Sequence, residues 1–319
     1  MNDVATRGPG RAGIPVRRAG RRPRTFSPVA PWVLTAPALA VSILVLLVPI
    51  GYTVVLSLTK ARIAGGLIGK KEQVFVGGEN YADVLGDPEF WAGIQRMLHY
   101  GAIYAPIVMI GALTFALIID ALDTRLARFA RLALFLPFAV PGVVSAVMWG
   151  FLYVPALSPA GEVLRAVGLP APSFFGPEAL FGSLANIGVW GSIGFNTVLL
   201  YTALRTIPGE LMDAAKVDGA GPIRTAVSIK LPMILPAVVL TTIFALIGTL
   251  QVFTEPQLLR PLTTSISTTF MPMMGIYNRA FTQGDSGGAA AGSIVLALLT
   301  LVGSLIVLAL SRRRNGASR

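Results

Sequence analysis

Cysteine is absent from the sequence and histidine occurs once, at position 99. Without thiols there is no disulfide, no thiolate metal site and no cysteine nucleophile. One imidazole builds neither a histidine metal cluster nor a Ser/His/Asp relay, so no catalytic or metal-ligating residue is expected. A Gly-x-x-x-x-Gly-Lys-Ser/Thr phosphate loop is also missing. The stretch from Gly65 to Lys71 comes nearest, but Ala64 stands where the first glycine belongs and Lys71 where the hydroxyl belongs. This chain is therefore not expected to hydrolyse ATP. Charge is scarce too: Asp, Glu, Lys and Arg make up 13% of the residues, against about 25% in an average soluble domain.

What fills the sequence is apolar. Hydrophobic residues make up 54% of its 319 positions, and the mean hydropathy of +0.71 places it among membrane proteins. Apolar runs of roughly 20 residues, the length a helix needs to cross a hydrocarbon core of about 30 Å, recur along the chain. They read as spans at about 29–58, 98–122, 129–153, 186–205, 233–255 and 289–311. The expected fold is all-α, with six transmembrane helices and an amphipathic segment outside the membrane between the fourth and fifth. Residues 1–28, rich in Arg, Gly and Pro, read as a disordered basic tail, and 312–319 as a second basic tail. The Arg21-Arg22 pair invites a twin-arginine export reading, but the apolar run that follows is too long for a cleaved signal and reads as a retained span. Pro49, Pro106, Pro137 and Pro141 fall within or near spans, where neighbouring helices must satisfy the freed carbonyls.

The net charge of +11 does not point to nucleic acid, because the basic residues gather at span ends without interleaved aromatics. With the N-terminus inside, 18 of the 26 Lys and Arg residues fall on the cytoplasmic side. That asymmetry is the positive-inside rule, and it places both termini and the 206–232 loop in the cytoplasm.

That loop, the longest polar interruption in the C-terminal half, organises the reading. Thr206 can cap a short helix that Pro208 opens and that ends near Asp218. Gly219 suits the left-handed position after a helix terminus, and Gly221-Pro222 restarts the chain toward Pro232. Leu211, Ala214, Ala215 and Asp218 fall at helical intervals on one face, where the two alanines would admit another protein's surface. The spaced pattern Asp213-Ala214-Ala215, then Gly219, then Ile229-Lys230-Leu231-Pro232 resembles the EAA loop of ABC-importer permease subunits. In that family the loop is the coupling helix, seated in a cleft of a cytoplasmic ATPase. The resemblance makes Asp213, Ala214, Ala215, Asp218, Gly219, Ile229, Leu231 and Pro232 the ATPase-coupling residues, with Asp213 replacing the usual glutamate.

In the first outer loop, Phe75-Val76-Gly77-Gly78-Glu79-Asn80-Tyr81 resembles a segment of carbohydrate-importer permeases, with Gly78 replacing a leucine. Read physically, Gly77-Gly78 makes a turn, and Tyr81, Phe90 and Trp91 are aromatics suited to a membrane interface. In permeases of the maltose type the stretch matching Gly248 to Leu259 lies about mid-membrane, and its polar residues face the sugar. The resemblance thus makes Thr249 and Gln251 substrate-path candidates, while helix-to-helix hydrogen bonding explains them equally well. On the fourth span Trp190, Ser192, Phe195 and Asn196 combine aromatic faces with an amide, the chemistry that holds a pyranose; the glycines among them serve close helix packing as readily.

The resemblance as a whole is to a six-span permease subunit of a carbohydrate ABC importer, similar to the larger membrane subunit of the maltose type without its extra N-terminal spans. It implies a bacterial inner-membrane location, a second six-span permease, an ABC ATPase dimer and an extracytoplasmic solute-binding protein that delivers sugar. ATP and magnesium would belong to the ATPase, with no cofactor on this chain, and membrane lipid would surround it. An ABC permease for a glycerophosphodiester or peptide and an ATP-independent transporter remain alternatives. Against the latter, Asp120, Glu210 and Glu255 are all expected near span ends.

Overall fold

A computed structural model of the chain describes residues 30–64, 70–122, 124–170 and 172–316. The basic tail expected over 1–28, with its arginine pair, lies outside them. Among the described residues the regular structure is helical except for one hairpin. Helix α1 (Ala30–Ser42), a π-turn (Ile43–Leu47) and α2 (Val48–Ser57) supply the first long apolar stretch. Strands β1 (Thr59–Ala64) and β2 (Lys70–Phe75) pair antiparallel, with Thr59 opposite Phe75 and Ala64 opposite Lys70. This hairpin was not expected from the sequence, where alternation over six residues is short and the pairing between the two segments leaves no periodic mark.

Helix α3 (Glu79–Leu85) leads into α4 (Pro88–Ala121), a 34-residue helix that starts well before the expected span. Asp87 explains the early start: its carboxylate accepts from the Glu89 amide at 2.9 Å, and Pro88 occupies the first turn. Helices α5 (Thr124–Ala139) and α6 (Gly142–Tyr153) meet at a 92° bend. Pro141 causes the break, lacking an amide hydrogen and forcing Val140 away from helical geometry. Among the described residues, five helices are long and apolar enough to cross a membrane, or six if this bent pair is one broken span.

After α7 (Pro159–Ala166) comes α8 (Leu180–Leu204), then the loop helices α9 (Gly209–Val217), α10 (Pro222–Thr225) and the single turn α11 (Leu231–Met233). Helix α12 (Leu235–Leu250) is followed by α13 (Thr254–Leu259) and a 3-10 turn, so the apolar stretch runs on to Leu262. Glu255, expected near a span end, therefore lies inside that stretch, because the helix resumes after a break at Gln251 to Phe253 instead of ending at Pro256. Helix α14 (Pro272–Tyr277), a π-turn and α15 (Ser286–Gly316) complete the chain. The last helix continues beyond 311 into the segment expected to be a tail.

Helices α4 and α8 form the centre of the packing. Met97, Tyr100, Tyr104 and Val108 of α4 bury against Leu184 and Ile187 of α8, together with Leu259, Phe270 and Met271. Farther along, Ala112, Ala116 and Ile119 meet Leu200 and Leu204. Between lipid-embedded helices, close contact and shape replace the hydrophobic effect as the stabilising force. Small residues make that contact possible. A methyl group at Gly188 would strike the Tyr100 hydroxyl, and one at Gly194 would overlap the backbone carbonyl of Leu134 in α5.

Candidate functional site

The loop between α8 and α12 folds as its residues dictate, with one difference. Thr206 does not cap α9; its hydroxyl donates back to the Ala203 carbonyl at 2.8 Å, and Pro208 takes the cap position in extended geometry. Threonine at a helix C-terminus has a free carbonyl one turn behind it, a nearer partner than the amides ahead. Glu210 in the first turn and Lys216 in the last complement the α9 dipole. The helix stops in a Schellman arrangement: Ala220 N–H donates to Ala215 O at 2.9 Å and Gly219 N–H to Lys216 O at 3.0 Å. Gly219 sits at φ +69°, which an L side chain rarely adopts. Gly221 then caps α10, and Pro222 opens it.

Of the expected outer face, Leu211, Ala214 and Asp218 are exposed, but Ala215 is buried against the chain itself. Asp213 is exposed and pairs with Lys216 at 3.0 Å, one turn on. The two most exposed large apolar residues of the loop were not singled out in the sequence: Val217 is 88% exposed and Ile223 81%. Both lie on an otherwise polar loop, outside any bilayer-length helix. Their signal is an apolar residue on each side of the Gly219 turn, within an otherwise polar interruption. Toward Pro232 the backbone widens into a π-turn (Ala226–Lys230), where Leu231 N–H reaches the Ala226 carbonyl. Ile229 and Leu231 are half-buried there, and Pro232 is exposed.

The substrate-path candidates separate into two groups. On α8, Ser192 accepts from the Tyr104 hydroxyl at 3.0 Å and donates to the Gly188 carbonyl at 2.7 Å. Asn196 is buried; its Nδ2 donates to Ser192 O at 2.9 Å, and its Oδ1 has no partner among the described residues. Phe195 stacks on Phe138 at 4.9 Å, and Trp190 meets Trp149 edge-on at 6.1 Å. On α12, Thr249 is buried, bonded to its own helix at Ala245 O and packed on Gly101 of α4. Gln251, the C-cap of α12, is exposed. Tyr104 was missed, although Tyr100 and Tyr104 one helical turn apart are visible in the sequence and stack at 5.3 Å. A cavity of about 610 Å³ opens beside Trp149, lined by Tyr153, Phe174, Ser183 and Asn186.

The segment expected to form the first outer loop is fastened rather than open. Asn80 Nδ2 donates to the carbonyls of Ser57 and Thr59, each at 2.8 Å, and the Ser57 and Tyr81 hydroxyls lie 2.7 Å apart. Lys60 bridges Asp83 at 2.8 Å and Glu79 at 3.0 Å, and Arg62 adds a second contact to Glu79. The bonds to Asp83 and then Glu79 push the Lys60 ammonium above its ordinary range. The bond from Lys60 holds Glu79 below the usual carboxylate range. Arg279 pairs with Asp87, and His99 stacks on Phe181 at 4.5 Å.

The chain is 30% identical to the diacetylchitobiose uptake system permease protein NgcF of Streptomyces coelicolor, over 95% of this chain and 89% of that one. It is 28% identical to the sn-glycerol-3-phosphate transport system permease protein UgpA of Salmonella choleraesuis, over 88% and 93% respectively. Its fold matches a chain in the crystal structure of a bacterial ABC transporter that imports the acidic polysaccharide alginate, with a TM-score of 0.75 and 22% identity, covering 89% of this chain and 96% of that one. These relatives are transport permeases, not enzymes. Residues 112–316, which include α8, the α9–α10 loop and α12, match the family described as binding-protein-dependent transport system inner membrane component, and the chain belongs to that family of ABC transporter permeases.

Proposed function

We propose that the chain is one permease subunit of an ATP-driven importer that moves a sugar or oligosaccharide delivered by an extracytoplasmic binding protein. The observation that carries the coupling part is the α9–α10 loop, an ordered helical hook whose exposed Asp213, Val217 and Ile223 need a partner surface. A cytoplasmic ATPase dimer, holding ATP and magnesium, supplies that surface, and a second six-span permease completes the pathway. The Lys and Arg asymmetry supports cytoplasmic termini. ATP closes the ATPase dimer, its cleft carries α9 along, and the helices rotate so that a central cavity faces first one side and then the other. Each ligand biases that equilibrium only by its unequal affinity for the two states.

For the solute, the neutral amide, hydroxyl and aromatic groups of α8 favour a saccharide, and NgcF is named for a disaccharide. UgpA is named for a phosphorylated solute, which keeps a glycerophosphate-type substrate as the second reading. Weighing against it, neither α8 nor α12 carries a lysine or arginine to pair with an anion. The test is to tag the chain, solubilise native membranes gently and identify what co-purifies. An ATPase and a second permease are expected, with uptake of a neutral sugar by the reconstituted complex. Recovery of the chain alone would remove the importer reading, and uptake confined to a phosphorylated solute would select the second.

A further inference from the structure

The carboxylate of Asp120 stands in the last turn of α4, where the helix's own free carbonyls disfavour an acidic side chain. Two cations from distant parts of the chain offset it. Lys230 Nζ donates to Asp120 Oδ2 at 2.6 Å, and Arg205, the C-cap of α8, lies 3.7 Å from Oδ1. The Asp120 and Lys230 side chains keep only 11% and 19% of their surface. Solvent therefore screens them far less than the exposed Asp213–Lys216 pair. Lys230 also ends the π-turn before Pro232, so it belongs to the segment that closes the coupling loop. A cavity of about 1,100 Å³ lies on this side of the loop, lined by Asp120, Arg205 and Lys230 as well as by Met212, Lys216 and Ile223 of the hook.

We infer that Asp120, Lys230 and Arg205 form a strut that positions the coupling loop and passes its displacement to α4 and α8. Apolar packing of Ile234 with Ile119 and Leu204 joins the same ends, and the poorly hydrated ion pair beside it resists separation because parting it leaves two uncompensated charges. When the loop moves, Lys230 carries Asp120 with it, and with Asp120 the end of α4, the helix on which the central packing is built. Arg205 ties the end of α8 to the same carboxylate. These are positioning residues, and the inference rests on the coupling reading of α9.

The test measures ATP hydrolysis and solute uptake together in proteoliposomes holding the full complex and its loaded binding protein. The wild-type complex examines the transport reading first: without a co-purifying ATPase and uptake, that reading fails whatever the variants do. Asp120→Asn and Lys230→Gln are expected to assemble, keep basal ATP hydrolysis and move about fivefold less solute per ATP, the lower end of typical coupling effects. Lys230→Arg, which keeps the charge, should retain more than half of the wild-type ratio. Wild-type solute per ATP in both neutral variants overturns the strut, as does a Lys230→Arg variant no better than Lys230→Gln. If the neutral variants fail to assemble, Arg205→Gln at the exposed end of the strut decides, with about a twofold loss expected and no loss overturning it.

Discussion

Asn196 carries a buried amide oxygen that no group among the described residues meets. Leaving such an acceptor dry costs about 1–3 kcal/mol, a cost that a hydrogen bond from a sugar hydroxyl would offset. Replacing it with leucine, close in shape, removes the unpaired oxygen. Asn196→Leu is therefore expected to leave thermal stability in detergent unchanged or slightly raised while lowering uptake. Unchanged uptake would return Asn196 to helix packing. The two candidates on α12 should part company in the same assay. Gln251→Leu is expected to weaken uptake about fivefold, the equivalent of one hydrogen bond of ~1 kcal/mol. Thr249→Val keeps the shape packed on Gly101 and loses only a bond within its own helix, so its uptake should match the parent. Equal losses at both positions would contradict this division of roles.

The α9–α10 hook owes its form to few residues, which is why so much of it was legible in the sequence. Gly219 at positive φ, Gly221 before Pro222 and the helix end at Asp218 each follow from local backbone chemistry. Which side of α9 turns inward does not, because it depends on packing against chain far away in sequence. Helical spacing grouped Ala215 with Ala214, and the structure buries only Ala215. The Asp120–Lys230 pair, made between residues 110 positions apart, was hidden for the same reason, and the β1–β2 hairpin because alternation over six residues is short. Substitutions in the hook should separate shape from charge. Gly219→Pro forces φ near −65° where +69° is needed, and Asp213→Lys reverses the charge on an exposed face without touching the fold. Both are expected to leave the chain in the membrane and to uncouple uptake from ATP hydrolysis, read as uptake against ATPase rate in proteoliposomes. Only Gly219→Pro should also raise protease sensitivity within 209–221. Normal uptake by both variants would remove the coupling role from the loop.

At the scale of the molecule, the spans within residues 51–319 differ in how deeply they are buried. One third of the apolar window of Leu180–Leu204 is buried, at 33%, against 6% for Ser286–Leu310. In lipid, an exposed leucine gains nothing from leaving water, since the surrounding tails are as apolar as it is. Stability therefore resides where side chains interlock. Leu184 and Leu200 on α8 are fully buried, whereas Leu298 and Leu305 on α15 are each 54% exposed. Truncating either of the first two opens a cavity between α4 and α8, and Leu200→Ala is expected to cost about 1–3 kcal/mol, the cavity part of such a truncation. Leu298→Ala on the isolated subunit exchanges protein–lipid contacts for slightly fewer of the same kind, so its melting temperature in detergent should stay close to that of the parent. The same variant examined within the complex reports on α15's neighbour. If the second permease lies along α15, Leu298→Ala will weaken co-purification of that subunit while leaving the isolated chain unaffected. A loss as large as that of Leu200→Ala in the isolated chain would instead show that α15 is as deeply buried as α8, against the exposure of its leucines.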